Sequence, residues 1–262
     1  MRALDTAATG MAAMDLQVQV IAGNLANMTT TGFKSQRAEF QDLIYEHVQR
    51  IGAQASETGN ILPVGIELGS GVKTVGTPRL LTQGTLTQTG NSLDIAIQGS
   101  GWFKILMPDG TFSYTRDGSF QMDNQGRIVT AEGNLVQPTI TIPQNSSGLT
   151  INQQGQVSVT PAGSTNSSIL GKFIITTFIN DAGLQANGNN LFTATPASGQ
   201  PQDGQAGING AGTLLQGSLE QSNVSPVTEI SNLIAAQRAY EMNSKVITAA
   251  DEMLQTTAQL MK

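Results

Sequence analysis

Two seams of apolar residues at heptad spacing, one at each end of the chain, constrain the fold more than any other feature. Near the N-terminus Leu4, Met11, Val18 and Leu25 recur every seven residues, with Ala7, Met14, Ile21 and Met28 interleaved. Near the C-terminus Leu233, Tyr240, Ile247, Leu254 and Met261 recur at the same interval, with Ala236, Asn243, Ala250 and Thr257 between them. This a/d pattern belongs to helices that pack on other helices. Chain termini often lie close together, so the two helices are expected to pair. Two helices cannot bury seams on all sides, and neighbouring copies of the chain are the natural further partners. Each helix alone is marginal, so the ends are expected to be disordered in the free monomer and to order on assembly.

The first helix is predicted over about residues 3–28. Gly10 and Gly23 weaken it by roughly 1 kcal/mol each relative to alanine, and Asn27 to Gly32 supplies the residues that stop it. Phe33 to Val48 reads equally as a short helix or an extended segment. The last helix has no Gly or Pro from Val227 to Lys262, a span of about 54 Å at 1.5 Å per residue. Ser225 suits its N-cap, Pro226 its first turn and Glu229 its N-terminal dipole.

Residues 51–90 hold eight glycines and two prolines, which excludes long helices there. Ile66–Leu68 and Val72–Val75 read as short extended segments. From Ser92 to about Phe192 the pattern is β. Thr111–Arg116 is followed by a predicted hairpin at Asp117–Gly118, then Ser119–Asp123, a turn at Asn124–Gly126, Arg127–Thr130, a turn at Glu132–Gly133 and Leu135–Gln137. Thr139–Ile142, Leu149–Asn152, Gln156–Thr160 and Phe173–Ile179 continue the strands, and 181–222 reads as loop-rich. The expected fold class is α+β: N- and C-terminal helices forming a coiled-coil-like core domain, a β-rich middle domain and an extended linker. The expected division is 1–45 and 201–262 for the two halves of the core domain, 46–80 for the linker and 81–200 for the β-rich outer domain.

Composition excludes several functions. Thirteen basic against nineteen acidic residues give a formal net charge of −6, without the basic patch that nucleic-acid binding needs. Only 12% of residues are charged, and Pro138 to Asn180 contains Lys172 alone. There are no cysteines, hence no disulfide, thiolate metal site or cysteine nucleophile. Asp5, Thr6, Thr9 and Asp15 interrupt any apolar signal segment behind Arg2, and no run approaches the roughly 20 apolar residues of a membrane helix. Membrane insertion is not expected, and an exported chain of this kind would leave without a cleaved signal peptide.

No catalytic, cofactor-binding or metal-binding residue is nominated. His47 is the only histidine and reads as an ordinary side chain. Asp123–Asn124–Gln125–Gly126 lacks the alternating acids of a calcium loop and reads as a turn. In Gly69–Ser70–Gly71–Val72–Lys73–Thr74 the lysine does not follow the glycine that a phosphate loop requires. Asn243 has two readings, an exposed residue at the seam edge or a buried polar residue that sets helix register.

Three blocks together resemble bacterial flagellar rod and hook proteins. The first is Ile21–Ala22–Gly23–Asn24–Leu25–Ala26–Asn27–Met28–Thr29–Thr30–Thr31–Gly32–Phe33–Lys34, with Asn24, Asn27, Thr31, Gly32, Phe33 and Lys34 as the family motif. The second is Tyr114–Thr115–Arg116–Asp117–Gly118–Ser119–Phe120. The third is Ser222–Asn223–Val224 followed by Gln237 to Lys245. Gly52–Ala53–Gln54–Ala55–Ser56 through Leu62–Pro63, together with Gly69 to Val72, is similar to the stretch that distinguishes the distal-rod type.

The resemblance implies a subunit of a rigid helical tube that transmits torque from motor to hook and surrounds the export channel. The segment near 46–75 would bridge axial neighbours. Implied partners are further copies of the chain, proximal-rod proteins, the hook protein or hook base, the surrounding P- and L-ring proteins and the flagellar export apparatus. The implied location is the basal body, spanning the periplasm. The assembly residues expected on this reading are Leu4, Met11, Met14, Val18, Ile21 and Leu25 in front, and Leu233, Tyr240, Asn243, Ile247 and Leu254 behind. A short hook or proximal-rod subunit is the alternative within the family. A secreted glycan-binding β protein with oligomerising helices is the alternative outside it, and an enzyme is the reading with least support.

Overall fold

A computed structural model describes residues 2–49, 64–144, 146–161 and 166–260. Met261 of the C-terminal seam and the stretch from Gly52 to Pro63 lie outside the described residues. The chain divides into two compact units: Met1–Leu25, Gln36–Pro78 and Ser225–Lys262 in one, Ala26–Ser35 and Arg79–Val224 in the other.

The first unit holds helix α1 (Arg2–Ala26), strands β1 (Glu39–Asp42), β2 (Tyr45–Gln49), β3 (Ile66–Gly69) and β4 (Val72–Gly76), and helix α2 (Pro226–Leu260). β1 pairs antiparallel with β4 and β2 with β3. Leu43 N donates to Gly71 O and Ser70 N to Ile44 O, so the two pairs run on as one two-stranded ribbon. The ribbon touches α1: Val72 N donates to Thr9 Oγ1 at 3.3 Å, Arg2 meets Glu46 at 2.6 Å, and Gly71 at φ +116° lets its backbone approach Thr9. α2 begins as its sequence predicts, with Glu229 N donating to Ser225 O and Thr228 Oγ1 to Ser225 Oγ.

The expected coiled-coil-like core is corrected by this structure. In α2 only Ala236 and Ala250 are buried, whereas Tyr240 is 44% and Leu254 36% exposed. Among the described residues, neither hydrophobic cluster contains a helix residue. The physical reason is size. The stripe of α2 that turns inward runs through Ala236, Asn243 and Ala250, and these positions carry too little apolar volume to form a core. Gly10 of α1 lies under Asn243, where a Cβ would come within 3.0 Å of Nδ2. The α+β class itself is compatible with the structure.

The second unit carries the core. Its strands in order are β5 (Leu86–Gln88), β6 (Ile95–Gln98), β7 (Trp102–Leu106), β8 (Phe112–Thr115), β9 (Gln121–Met122), β10 (Ile128–Val129), β11 (Leu135–Gln137), β12 (Ser146–Ile151), β13 (Gln156–Pro161), β14 (Ser168–Lys172), β15 (Ile174–Thr177), β16 (Gln185–Gly188), β17 (Leu191–Thr193), β18 (Gln202–Gln205), β19 (Thr213–Gln216) and β20 (Ser218–Glu220). The main sheet runs β16-β17-β8-β7-β11-β10-β9, and β15 bridges β7 and β18. β12-β13-β14 form a smaller sheet, while β19 pairs β6 and β20 pairs β5.

The two faces of β7 explain the layers, because side chains alternate along a strand. Phe103 and Ile105 enter the large cluster with Ile97, Phe120, Val136, Phe173 and Ile175. Trp102 points the other way, into a small cluster with Tyr114, Leu184 and Phe192.

The predicted meander is present over β9, β10 and β11, with turns at Gly126 (φ +78°) and Gly133 (φ +85°). The hairpin predicted at Asp117–Gly118 is not, since β8 pairs with β7 and β17 and not with β9. Gly118 is required there for another reason: a Cβ would land on the carbonyl oxygen of Ile95. The segment read as loop-rich, 181–222, contains β16 to β20, strands of only three or four residues.

Candidate functional site

Parts of the three sequence blocks meet inside the second unit: Ala26 to Lys34 of the first, the whole of the second, and Ser222–Asn223–Val224 of the third, while Ile21 to Leu25 and Gln237 to Lys245 belong to the first unit. After α1 the chain turns, and Gly32 at φ +67° presses on the backbone of Arg116 and Asp117 while its N–H donates to Glu220 O at 2.8 Å. This places Lys34 in the interior, where Nζ donates to Glu220 Oε1 at 2.6 Å and to Thr82 O at 2.8 Å. Arg116, at the end of β8, gives Nε to Glu220 Oε2 at 2.9 Å and Nη1 to the carbonyls of Gly99 and Gly101. Glu220, on β20, also accepts from Gly84 N at 3.0 Å. The side chains of Lys34, Arg116 and Glu220 are 2%, 5% and 1% exposed. Two buried cations thus share one buried carboxylate, and each cationic nitrogen has at least one acceptor. Burial lowers the pKa of Lys34, and the hydrogen bond and charge of Glu220 oppose that.

Asn223, from the third block, completes the clasp. Its Oδ1 accepts from Ser35 N at 2.7 Å, and its Nδ2 donates to Leu80 O at 2.7 Å and reaches Thr82. Leu80 N returns a bond to Ser35 O. Asn190 Nδ2 donates to Thr31 O at 3.1 Å. Phe33 N closes the preceding turn on Thr30 O, and Asn27 Oδ1 accepts from Thr30 Oγ1. Within the first unit Asn24 is buried and binds both backbone groups of Gln36, donor and acceptor at 2.8 Å each. The arrangement is mechanical: it holds segments distant in sequence in a single conformation.

The front seam residues Leu4, Met11, Met14, Val18 and Leu25 are half-buried and Ile21 is buried. Behind, Leu233, Asn243 and Ile247 are half-buried, with Tyr240 and Leu254 exposed. Asn243 rests against Gly10 with no hydrogen bond from its amide among the described residues. A second set of large apolar side chains on α2 is also exposed, including Val227, Ile230, Ile234, Val246 and Met253. The ribbon exposes Ile44, Ile66, Leu68 and Val75. His47 faces Glu67 across β2 and β3, with Nδ1 3.1 Å from Oε1. Asp123 accepts from Gln125 N and Arg127 N, as a turn residue. Among the described residues no three His, Cys, Asp or Glu side chains gather at a point, and no helix is long and apolar enough to cross a membrane.

Sequence reasoning missed Glu220. It lies just before the third block, but its partners are separated from it by 186 and 104 residues, and no local spacing encodes such pairs.

Comparison with known proteins decides the family. Residues 4–34 match the model for flagella basal body rod proteins, 96–159 that for the flagellar hook protein FlgE/F/G D1 domain, and 215–260 that for the flagellar basal body rod FlgEFG protein C-terminal region. The flagellar basal-body rod protein FlgG of Caulobacter vibrioides is 53% identical over 260 residues, covering 99% of both chains. The chain belongs to the flagellar basal-body rod family. FlgG of Borreliella burgdorferi is 48% identical, covering 97% of this chain and 96% of the relative. FlgG of Bacillus subtilis is 37% identical over 99% of each. The three matched regions include most of the clasp: Lys34 falls in the first, Arg116 in the second and Glu220 and Asn223 in the third.

Proposed function

We propose that this protein is a structural subunit of the distal rod, polymerising with copies of itself into a rigid tube that carries torque from motor to hook and encloses the export path. The supporting observation is α2, a helix of 35 residues that leaves large apolar side chains facing outward on a folded chain. Monomeric proteins rarely expose long apolar surfaces without a partner. Heterologous contacts that do not close produce open helical filaments. The front seam (Leu4, Met11, Met14, Val18, Ile21, Leu25) and the back seam (Leu233, Tyr240, Asn243, Ile247, Leu254) are the proposed packing surfaces, and the exposed ribbon of β1 to β4 is a proposed contact with axial neighbours. Proximal-rod, hook, ring and export components are the proposed further partners, and the periplasm-spanning basal body is the proposed place. Whole-length similarity to proteins named as basal-body rod proteins supports this reading over a secreted glycan-binding protein. Ile247→Asp tests it: rods and motility should be lost while the β unit stays folded. Normal motility in that strain refutes the seam.

A further inference from the structure

One cation of the second unit lacks what the others have. Lys34 and Arg116 share Glu220, Lys104 meets Asp203, Arg127 meets Asp123 and Lys172 donates to Gln205. Arg79 makes no hydrogen bond and no ion pair among the described residues. Its guanidinium carbon stands 5.2 Å from the ring centroid of Phe192, a cation–π contact that fixes it in place. Burial pulls its pKa down, with no carboxylate to oppose the shift. A guanidinium carries five N–H donors in a planar fork, and on this half-buried side chain they have no protein acceptor among the described residues and stay open to solvent.

The side chain lines a cavity of about 220 Å³ together with Gly32, Lys34, Asn189 and Asn190. Two cations line this cavity and no carboxylate does. Asn189 sits at φ +53°, and its side-chain amide has no hydrogen-bond partner among the described residues. The site therefore offers donors and positive charge, in a volume suited to the head of one side chain.

We propose that this cavity is a socket for a carboxylate side chain of a second copy of the chain, gripped in bidentate fashion by Arg79. The inference rests on the assembly reading above, which supplies the second copy. The chain also carries matching plugs. Asp5, Glu229, Glu241 and Glu252 have no side-chain hydrogen bond or ion pair among the described residues, and all four belong to the other unit. A fork-to-carboxylate pair fixes direction as well as distance, which sets the register of one subunit on the next.

The test uses the purified full-length chain, with assembly followed by sedimentation and electron microscopy against protein concentration. Arg79→Gln should unfold like wild type as a monomer, read at the single tryptophan, Trp102. Its critical concentration for polymerisation should rise about tenfold or more, as expected when one partner of a desolvated charge pair is removed. Arg79→Lys, which keeps the charge and loses the fork, should fall between the two. Added salt should weaken wild-type assembly more than that of Arg79→Gln.

Equal critical concentrations for wild type and Arg79→Gln overturn the socket and leave the assembly reading standing. Failure of wild type to polymerise takes down both. Calorimetric titration of the monomer with inorganic phosphate separates the sources of the anion. Phosphate binding that depends on Arg79, with assembly unchanged by Arg79→Gln, assigns the cavity to a free anion and overturns the proposal.

Discussion

Removing Glu220 should damage this protein far more than removing either cation it holds. The cluster contains two positive groups and one negative group, so its net charge is +1. In Glu220→Ala both Lys34 and Arg116 remain inside with no counter-ion, and Gly84 N loses its acceptor. Breaking a buried pair by deleting one partner costs about 3–5 kcal/mol, because a charge is left uncompensated. Lys34→Met does the opposite. It leaves Glu220 and Arg116 as a neutral pair, and the unbranched replacement fills most of the same volume. Thr82 O keeps Asn223 Nδ2 as a donor at 3.2 Å. The expected cost is about 1 kcal/mol or less, since trading a buried charge for a packed apolar chain is often close to neutral.

Trp102 makes the assay specific. It is the only tryptophan, it is 2% exposed, and it belongs to the unit that holds the clasp. Urea unfolding followed by its fluorescence therefore reports that unit alone. With a urea dependence of about 2 kcal/mol per molar, Glu220→Ala should lower the midpoint by about 1.5–2.5 M and Lys34→Met by about 0.5 M or less. Equal midpoint shifts for the two variants would refute the charge-counting argument. So would a Glu220→Ala shift within error of zero.

Three other perturbations follow from the same geometry. Gly32→Ala should destabilise the β unit by about 2–4 kcal/mol, since it adds a left-handed strain of roughly 1–2 kcal/mol to a Cβ only 2.8 Å from the backbone of Arg116 and Asp117; the Trp102 urea midpoint measures it. Gly10→Ala gains roughly 1 kcal/mol of helix propensity but brings its Cβ within 3.0 Å of Asn243, so the full gain should appear only in the Gly10→Ala, Asn243→Ala double variant, read as the thermal loss of helix by circular dichroism. For Asp203, burial pushes the carboxyl up, but hydrogen bonds from Lys104 and Thr176 and the charge of Lys104 outweigh this and hold it below its ordinary value of 3.8. The native state then binds fewer protons than the unfolded one, so the stability gained is complete above about pH 5 and is lost as pH falls through the unfolded and then the folded value; Lys104→Met should flatten the acid limb of the stability curve.

How much of this was legible in the sequence depends on the range over which each signal acts. Local signals served well. The lack of Gly and Pro after Pro226 marks a helix that runs to Leu260, and the turns at Gly126 and Gly133 follow from positive φ. The dipeptide Asp117–Gly118 misled because its glycine answers to a distant carbonyl, that of Ile95, and not to a hairpin. The short strands of 181–222 escaped because three or four residues cannot display an alternation. The motif residues were recognisable as a family resemblance, yet their joint role was not, since Lys34, Arg116, Glu220 and Asn223 become neighbours only when the chain folds.

The heptad seams show a subtler limit. Periodicity reports that one stripe of a helix is shielded, but it does not report what shields it or with which half of the pattern. On α2 the inward stripe takes the small half, Ala236, Asn243 and Ala250, and Gly10 on α1 answers it by giving up its own side chain. Small residues permit close approach but contribute little apolar area, roughly 25 cal/mol for each square ångström removed from water. A large part of the hydrophobic free energy available to α2 is therefore not realised within the chain: Tyr240, Val246, Met253 and Leu254 keep a third or more of their surface in water. The expected coiled-coil-like core had the two terminal helices pair through these seams, with neighbouring copies of the chain as further partners. On the assembly reading the same bulk is what the next subunit covers, so a substitution such as Met253→Asp should leave the monomer's stability within about 0.5 kcal/mol, as surface changes do, while it weakens polymerisation.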